Sequence, residues 1–244
     1  IYSRLVSDDV VPIHAVAKVL AVPVPGARFT KWFKSGKWDG THKFLERPSN
    51  RFYTGLLPTA RRALEEAGHR GWNEVDNRAC PPTISGLTYR GPALRPYQTQ
   101  IVKDMRTIGR GILRVATGGG KTVIAAAAIA DLQCPTLFLV HRKELAAQTR
   151  DRFREWLTAP IGQVAEGDFD IGPPVVVAMI QSLFAKWKSD PAWVERYLQT
   201  VGVVIADEAH RASSDSWEKM LRRIPAFYRF GLSGTPLIKH DVRD

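Results

Sequence analysis

Cysteine is scarce: Cys80 and Cys134 are the only two in 244 residues, and they form no CxxC pair. That excludes a disulfide framework and suits a reducing cytosol. Long apolar runs are missing too. Stretches such as Val123 to Ala130 fall far short of the ~20 residues that a membrane-crossing helix needs. Asp8 and Asp9 interrupt what would be the apolar region of a signal peptide. The six histidines and two cysteines show no zinc-ligand spacing. Negative charge is the remaining shortage, with 24 Asp+Glu against 35 Lys+Arg, a net of +11 and a pI near 9.9. Such an excess points to a polyanionic partner and says little about fold. The 44% hydrophobic and 24% charged residues are ordinary for a folded chain, which excludes wholesale disorder. The length allows one or two domains.

Residues 80–92, CPPTISGLTYRGP, are rich in Pro and Gly and read as a connection between two domains, 1–85 and 86–244. Residues 1–90 carry fourteen basic and eight acidic groups, so the smaller piece is the more basic per residue. A helix around Ile13 to Leu20, a second from Arg61 to Ala67 ended by Gly68, and short strands near Lys43 and Trp72 make it a small α+β domain. Beyond it, short β-branched or apolar runs are expected to be strands buried on both faces: Ile112–Ala116, Thr136–His141, Pro174–Met179, Val201–Ala206 and Arg229–Ser233. Helical patterns at Lys121–Leu132, Lys143–Leu157 and Ala192–Thr200 alternate with them. Strand-helix alternation predicts a parallel sheet and an α/β fold.

Two segments carry chemistry. Arg114-Val-Ala-Thr-Gly-Gly-Gly-Lys-Thr122 follows an expected strand and opens an expected helix. Gly118, Gly119 and Gly120 allow a tight turn with N–H groups aimed inward at the helix N-terminus, which suits a phosphate. Thr117 sits in the same loop, Lys121 would reach the β/γ-phosphates of a nucleotide, and the Thr122 hydroxyl would ligate Mg²⁺. The general GxxxxGK[ST] pattern has Gly where Val115 stands. Val203 to His210 reads as a buried strand ending in Asp207 and Glu208. Adjacent carboxylates there suit Mg²⁺ held by Asp207 and an attacking water polarised by Glu208. Ligands of open α/β sheets bind at the carboxyl ends of strands, where both segments would lie.

These motifs, with Ser233-Gly-Thr-Pro236, resemble superfamily-2 helicases and translocases of the DEAD/DEAH-box kind over residues 93–236. The resemblance implies a RecA-like, P-loop ATP-binding domain that uses ATP and Mg²⁺. It makes Leu94-Arg-Pro-Tyr-Gln98 the adenine-sensing segment, with Arg95 and Gln98 near the base, and gives His210 the last place in a DEAH box. His141 and Arg142 fall in a motif Ia-like segment, and Gln181 and Ser182 in a later nucleic-acid-contacting one. Ser233 and Thr235 would couple nucleotide state to nucleic-acid grip. The family pairs two RecA-like domains, and this chain stops shortly after Pro236 without a QxxGRxxR-like segment. The resemblance therefore implies a front part of a longer DNA helicase, weak in hydrolysis alone; an RNA helicase and a nucleotide-gated DNA-binding module are the alternatives.

Between Arg28 and Arg51, seven basic residues stand against two acidic ones, with Trp32, Phe33, Trp38 and Phe44 interleaved. Lys31, Lys34 and Lys37 can neutralise phosphates. The aromatics either form this domain's core or stack on bases. Residues 10–75 are similar to the N-terminal domain of UvsW-type phage helicases, related to XPB-like translocases, which implies duplex, forked or branched DNA as partner, with recombination or repair as the setting.

Overall fold

The computed structural model describes residues 2–79, 81–208 and 215–234. Two compact units result, Ile1–Asn77 and Arg78–Asp244. The Pro/Gly-rich stretch falls within the second unit, where Ile84 N donates to Gln133 O at 2.7 Å and Thr88 N to Thr158 Oγ1 at 2.8 Å.

The first unit runs β1 (Tyr2–Arg4), α1 (Val10–Val19), β2 (Ala21–Pro23), α2 (Lys31–Lys34), β3 (Thr41–Lys43), β4 (Arg51–Tyr53) and α3 (Leu57–Glu66). Asp9 caps α1 by accepting from Val11 N at 3.0 Å, and apolar residues spaced three and four apart put Ile13, Val16 and Leu20 on one face. That face meets Ala60, Ala63 and Leu64 of α3, with Leu45 and Phe52 completing a small core. Gly68, at φ +82°, follows the end of α3. Two antiparallel pairs, β1–β4 and β2–β3, flank this core. Trp72 does not lie in a strand as its neighbourhood predicts. Its ring packs on the core and its indole N–H donates to Glu74, which also pairs with Arg61, so side chains fix a segment without ladder bonds.

The second unit contains α4 (Pro96–Ile108), β5 (Arg110–Arg114), α5 (Lys121–Leu132), β6 (Thr136–Val140), α6 (Lys143–Trp156), β7 (Ile161–Ala165), β8 (Asp168–Asp170), β9 (Val175–Met179), α7 (Ile180–Ser189), α8 (Pro191–Leu198), β10 (Val203–Asp207), α9 (Asp215–Leu221) and β11 (Tyr228–Ser233). Its seven-stranded sheet has the order β5-β11-β10-β6-β9-β7-β8, and every pairing is parallel except β7–β8. Along β6, Phe138 and Val140 enter one core while Leu137 and Leu139 enter the other, as period-two side chains must when helices cover both faces. Phe138 meets Phe153 of α6 edge-on, with ring centroids 5.2 Å apart. Arg229 of β11 donates to Leu221 O at 2.7 Å and to Ile224 O, tying the end of α9 to the sheet; desolvation, and then the charge of Arg110, lower its guanidinium to about 10.

One expected strand differs in its surroundings. β5 is the edge of the sheet, and Ile112 is 63% exposed where burial on both faces is predicted. A β-branched residue suits an edge as well as a centre, so local pattern cannot tell the two apart. Ile112→Lys is therefore expected to change stability by no more than about 0.5 kcal/mol in urea unfolding, as for other surface substitutions.

Candidate nucleotide-binding site

Three strand ends converge. β11 lies between β5 and β10, with Ser233 opposite Arg114 and Leu232 opposite Asp207. The loop leaving β5 and the acids closing β10 thus stand on either side of Ser233, which is fully buried, and Val115 N donates to Ser233 O at 3.0 Å. Parallel pairing puts all these ends on one edge of the sheet, where backbone N–H groups and helix N-termini gather.

The glycine loop is shaped by steric limits. Gly118 and Gly120 adopt φ +78° and +79°, which L side chains rarely accept. Gly119 is compelled by space: a Cβ there would lie 2.8 Å from Val115 Cγ1 and 3.0 Å from Ala116 O. A Cβ on Gly120 would strike Gln98 Nε2 at 2.5 Å. α5 starts directly after, so its unsatisfied N–H groups and positive dipole end face the loop. Thr117 and Gly118 are exposed, and Lys121 and Thr122 are half-buried in the first turn.

Lys121 Nζ donates to Glu208 Oε1 at 2.9 Å, joining the two motifs across the sheet edge. Glu208 adopts φ +54°, and its N–H donates to Asp207 Oδ1 at 3.0 Å. A non-glycine residue in the left-handed region is uncommon and clusters at functional sites. The cradle, the lysine and the paired carboxylates together fit a nucleotide's phosphates with a hard cation.

Gln98 is 4% exposed and bridges two structures: Arg95 N donates to its Oε1 at 2.9 Å, while its Nε2 donates to Gly119 O at 3.2 Å. Both ends of the amide are thus engaged with α4 and the glycine loop, and Arg95 is exposed at the helix start. The neighbouring Tyr97, which sequence reasoning did not single out, donates its hydroxyl to the same Gly119 O at 2.8 Å. Its position beside Gln98, one residue before the expected adenine-sensing amide, was the available signal.

The remaining candidates sit apart from this cluster of contacts. His141 and Arg142 follow β6, half-buried and exposed respectively. Gln181 is exposed on α7, whereas Ser182 is buried and its Oγ accepts from Glu166 N at 3.1 Å, bracing the β7–β8 turn. His210 and Thr235 lie outside the described residues. Among the described residues, no three His, Cys, Asp or Glu side chains group as a metal cluster, and no helix is long and apolar enough to cross a membrane.

A family model described as Type III restriction enzyme, res subunit, matches residues 92–238. A protein of Acanthamoeba polyphaga mimivirus, named for ATP-dependent RNA helicase activity, is 29% identical over 175 residues, 70% of this chain and 32% of that protein. The DNA 3'-5' helicase XPB of Kineococcus radiotolerans is 33% identical over 162 residues, covering 65% of this chain and 28% of that one. The chain thus spans under a third of the length of these curated relatives. The UvsW helicase of bacteriophage T4 shares the fold, with a TM-score of 0.73 at 22% identity over 96% of this chain and 89% of that one. With its ordered motifs and RecA-like sheet, the chain belongs to the type III restriction enzyme res-subunit family, and it is similar in sequence to an XPB helicase and in fold to UvsW.

Proposed function

We propose that this chain forms the ATP-binding lobe and a DNA-binding module of an ATP-driven DNA helicase or translocase that acts on duplex, forked or branched DNA in the cytoplasm. The observation that carries the reading is the Lys121–Glu208 contact over a glycine cradle with no room for a Cβ at 119 or 120. Lys121 and the backbone N–H groups of 118–122 bind the β/γ-phosphates, Gln98 and Arg95 lie on the adenine side, and Glu208 orients and deprotonates the attacking water. Thr122 and Asp207 would hold Mg²⁺, which supplies charge neutralisation at the phosphates when bound. Ser233, with Thr235 and His210, links this site to nucleic-acid contacts at His141, Arg142, Gln181 and the Ser182 turn. Robust turnover needs a second RecA-like domain carrying arginine fingers. Hydrolysis by the protein, supplied with a second RecA-like domain, should rise with forked DNA; no stimulation by any DNA overturns the reading. RNA is the second reading, favoured by the name of the mimiviral relative, and it requires stronger stimulation by RNA than by DNA.

The first unit supplies the DNA grip through Lys31, Lys34 and Lys37, which are exposed and pair with no carboxylate among the described residues. Substituting all three by alanine is expected to weaken duplex binding about ten-fold at low salt and flatten the salt slope by up to about 0.9 per lost phosphate contact. Anisotropy titrations at several salt concentrations read both quantities. An unchanged slope removes these lysines from the interface.

A further inference from the structure

Residues 24–40 leave β2 and return to β3 as one closed excursion, sealed at its base by Val24 N donating to Gly40 O at 2.8 Å. It carries Arg28, Lys31, Lys34 and Lys37 and a single acid, Asp39, which is engaged by Lys43 at 2.7 Å and by Thr41 at 2.8 Å. The four cations therefore face no carboxylate of their own loop.

The loop's aromatics divide sharply by role. The Trp38 N–H donates to Thr41 O at 2.8 Å, and Phe33 lies so close over Gly40 that a Cβ there would sit 2.9 Å from the ring. Those two rings hold the loop together, and Phe44, beyond it, packs on the core. Phe29 and Trp32 do neither. They are 69% and 66% exposed, α2 buries no residue, and the Trp32 indole N–H has no partner among the described residues. Exposed rings of this size gain little from folding, since most of their apolar surface stays in water.

Their presentation is nevertheless ordered. Thr30 Oγ1 accepts from Phe33 N at 3.3 Å and donates to Ala27 O at 2.7 Å, and Ser35 Oγ donates to Trp32 O at 3.1 Å. Arg28 lies 4.9 Å from the Phe29 ring centroid and Lys37 lies 5.9 Å from that of Trp32, so each exposed ring has a cation beside it. A flat apolar face next to an unpaired positive charge matches one nucleotide unit, a base with its phosphate. In intact duplex the base faces are covered by their neighbours. An unpaired base offers its face freely.

We propose that Phe29 and Trp32 form a stacking platform for unpaired bases, so that this loop selects DNA where duplex gives way to single strand. The inference rests on the DNA-binding reading of the first unit and adds the structure recognised. The lysines supply affinity common to all DNA, and the rings supply the preference for forks and single strands.

The test uses the 244-residue chain and fluorescein-labelled blunt duplex, forked DNA and single strand, titrated by anisotropy. F29A/W32A is expected to lose about ten-fold on fork and single strand, one stacked base's worth, with blunt-duplex affinity and salt slope unchanged. Trp32→Phe keeps a π-face and should retain most of the preference. A 2-aminopurine at the first unpaired position of the fork should change emission on binding the wild-type chain and not F29A/W32A. Equal losses on all three DNAs, or no loss on the fork, overturn the platform. If K31A/K34A/K37A binds every DNA like the wild type, the underlying DNA reading falls and the platform with it. If that variant weakens all binding while F29A/W32A changes nothing, the platform alone falls. Because both rings are exposed, far-UV circular dichroism and the unfolding midpoint should be unchanged in F29A/W32A, which separates recognition from folding.

Discussion

Lys121→Ala is expected to lower affinity for ATP in the presence of Mg²⁺ by at least about 100-fold, the scale of losing charge-assisted hydrogen bonds to phosphate, with DNA binding by the first unit retained. The ammonium is held by Glu208 at 2.9 Å, and the side chains are only 17% and 27% exposed. A nucleotide must draw Lys121 away from that carboxylate or share it. Glu208→Gln should therefore shift affinity in the opposite direction, up to about ten-fold tighter, because a neutral amide competes less for the ammonium and repels phosphate less. Fluorescent ATP-analogue titrations of both variants give the two signs. A loss in both would mean that Glu208 supports the site's shape more than it competes for the lysine. Hydrolysis should fall in both, since Lys121→Ala weakens ATP binding and Glu208→Gln removes the group proposed to accept the water proton.

The central sheet was legible because its strands are short, apolar and β-branched, and parallel strands buried on both faces leave that trace. β6, β9, β10 and β11 fall within a residue or two of the expected runs. In the first unit β3 falls at the strand expected near Lys43, whereas β1, β2 and β4 are three residues each; β7 is interrupted by Gly162 and Gln163, and Asp168–Asp170 has no apolar alternation to find. α4 carries a helix-start signal in Pro96 at its first position, but the LRPYQ segment also fits a nucleotide-contacting loop, and local pattern does not separate the two. At the site, the sequence identified the residue types, but neither the meeting of Lys121 with Glu208, 87 positions apart, nor the hold of Tyr97 and Gln98 on Gly119 O is local. Such contacts depend on strand order, which residue pattern constrains only loosely. In the basic module, composition could not say which aromatics are core. Phe44 packs on the core, Phe33 and Trp38 brace the loop, and Phe29 and Trp32 stay exposed.

Gly119→Ala should reduce ATP affinity by about 10–100-fold, from about 1–3 kcal/mol of overpacking transmitted to the backbone proposed to bind phosphate. Its φ lies outside the left-handed region, so torsional strain is not the cause. The cause is Val115, buried at 4%, whose Cγ1 would lie 2.8 Å from the new methyl. Val115 is the residue that departs from the general loop pattern, and its bulk under the loop makes glycine obligatory at 119. Val115→Ala in the Gly119→Ala background should therefore recover part of the lost affinity, although Val115→Ala alone loosens packing beneath the loop. Recovery stays incomplete because Ala116 O, at 3.0 Å from the same methyl, is backbone and cannot be trimmed. A double-mutant cycle on ATP-analogue affinity reads the coupling directly, and additive losses would refute a steric link between the two positions. Gly120→Ala serves as the contrast. Its barrier is the +79° backbone together with Gln98 Nε2 at 2.5 Å, so Val115→Ala should not relieve it.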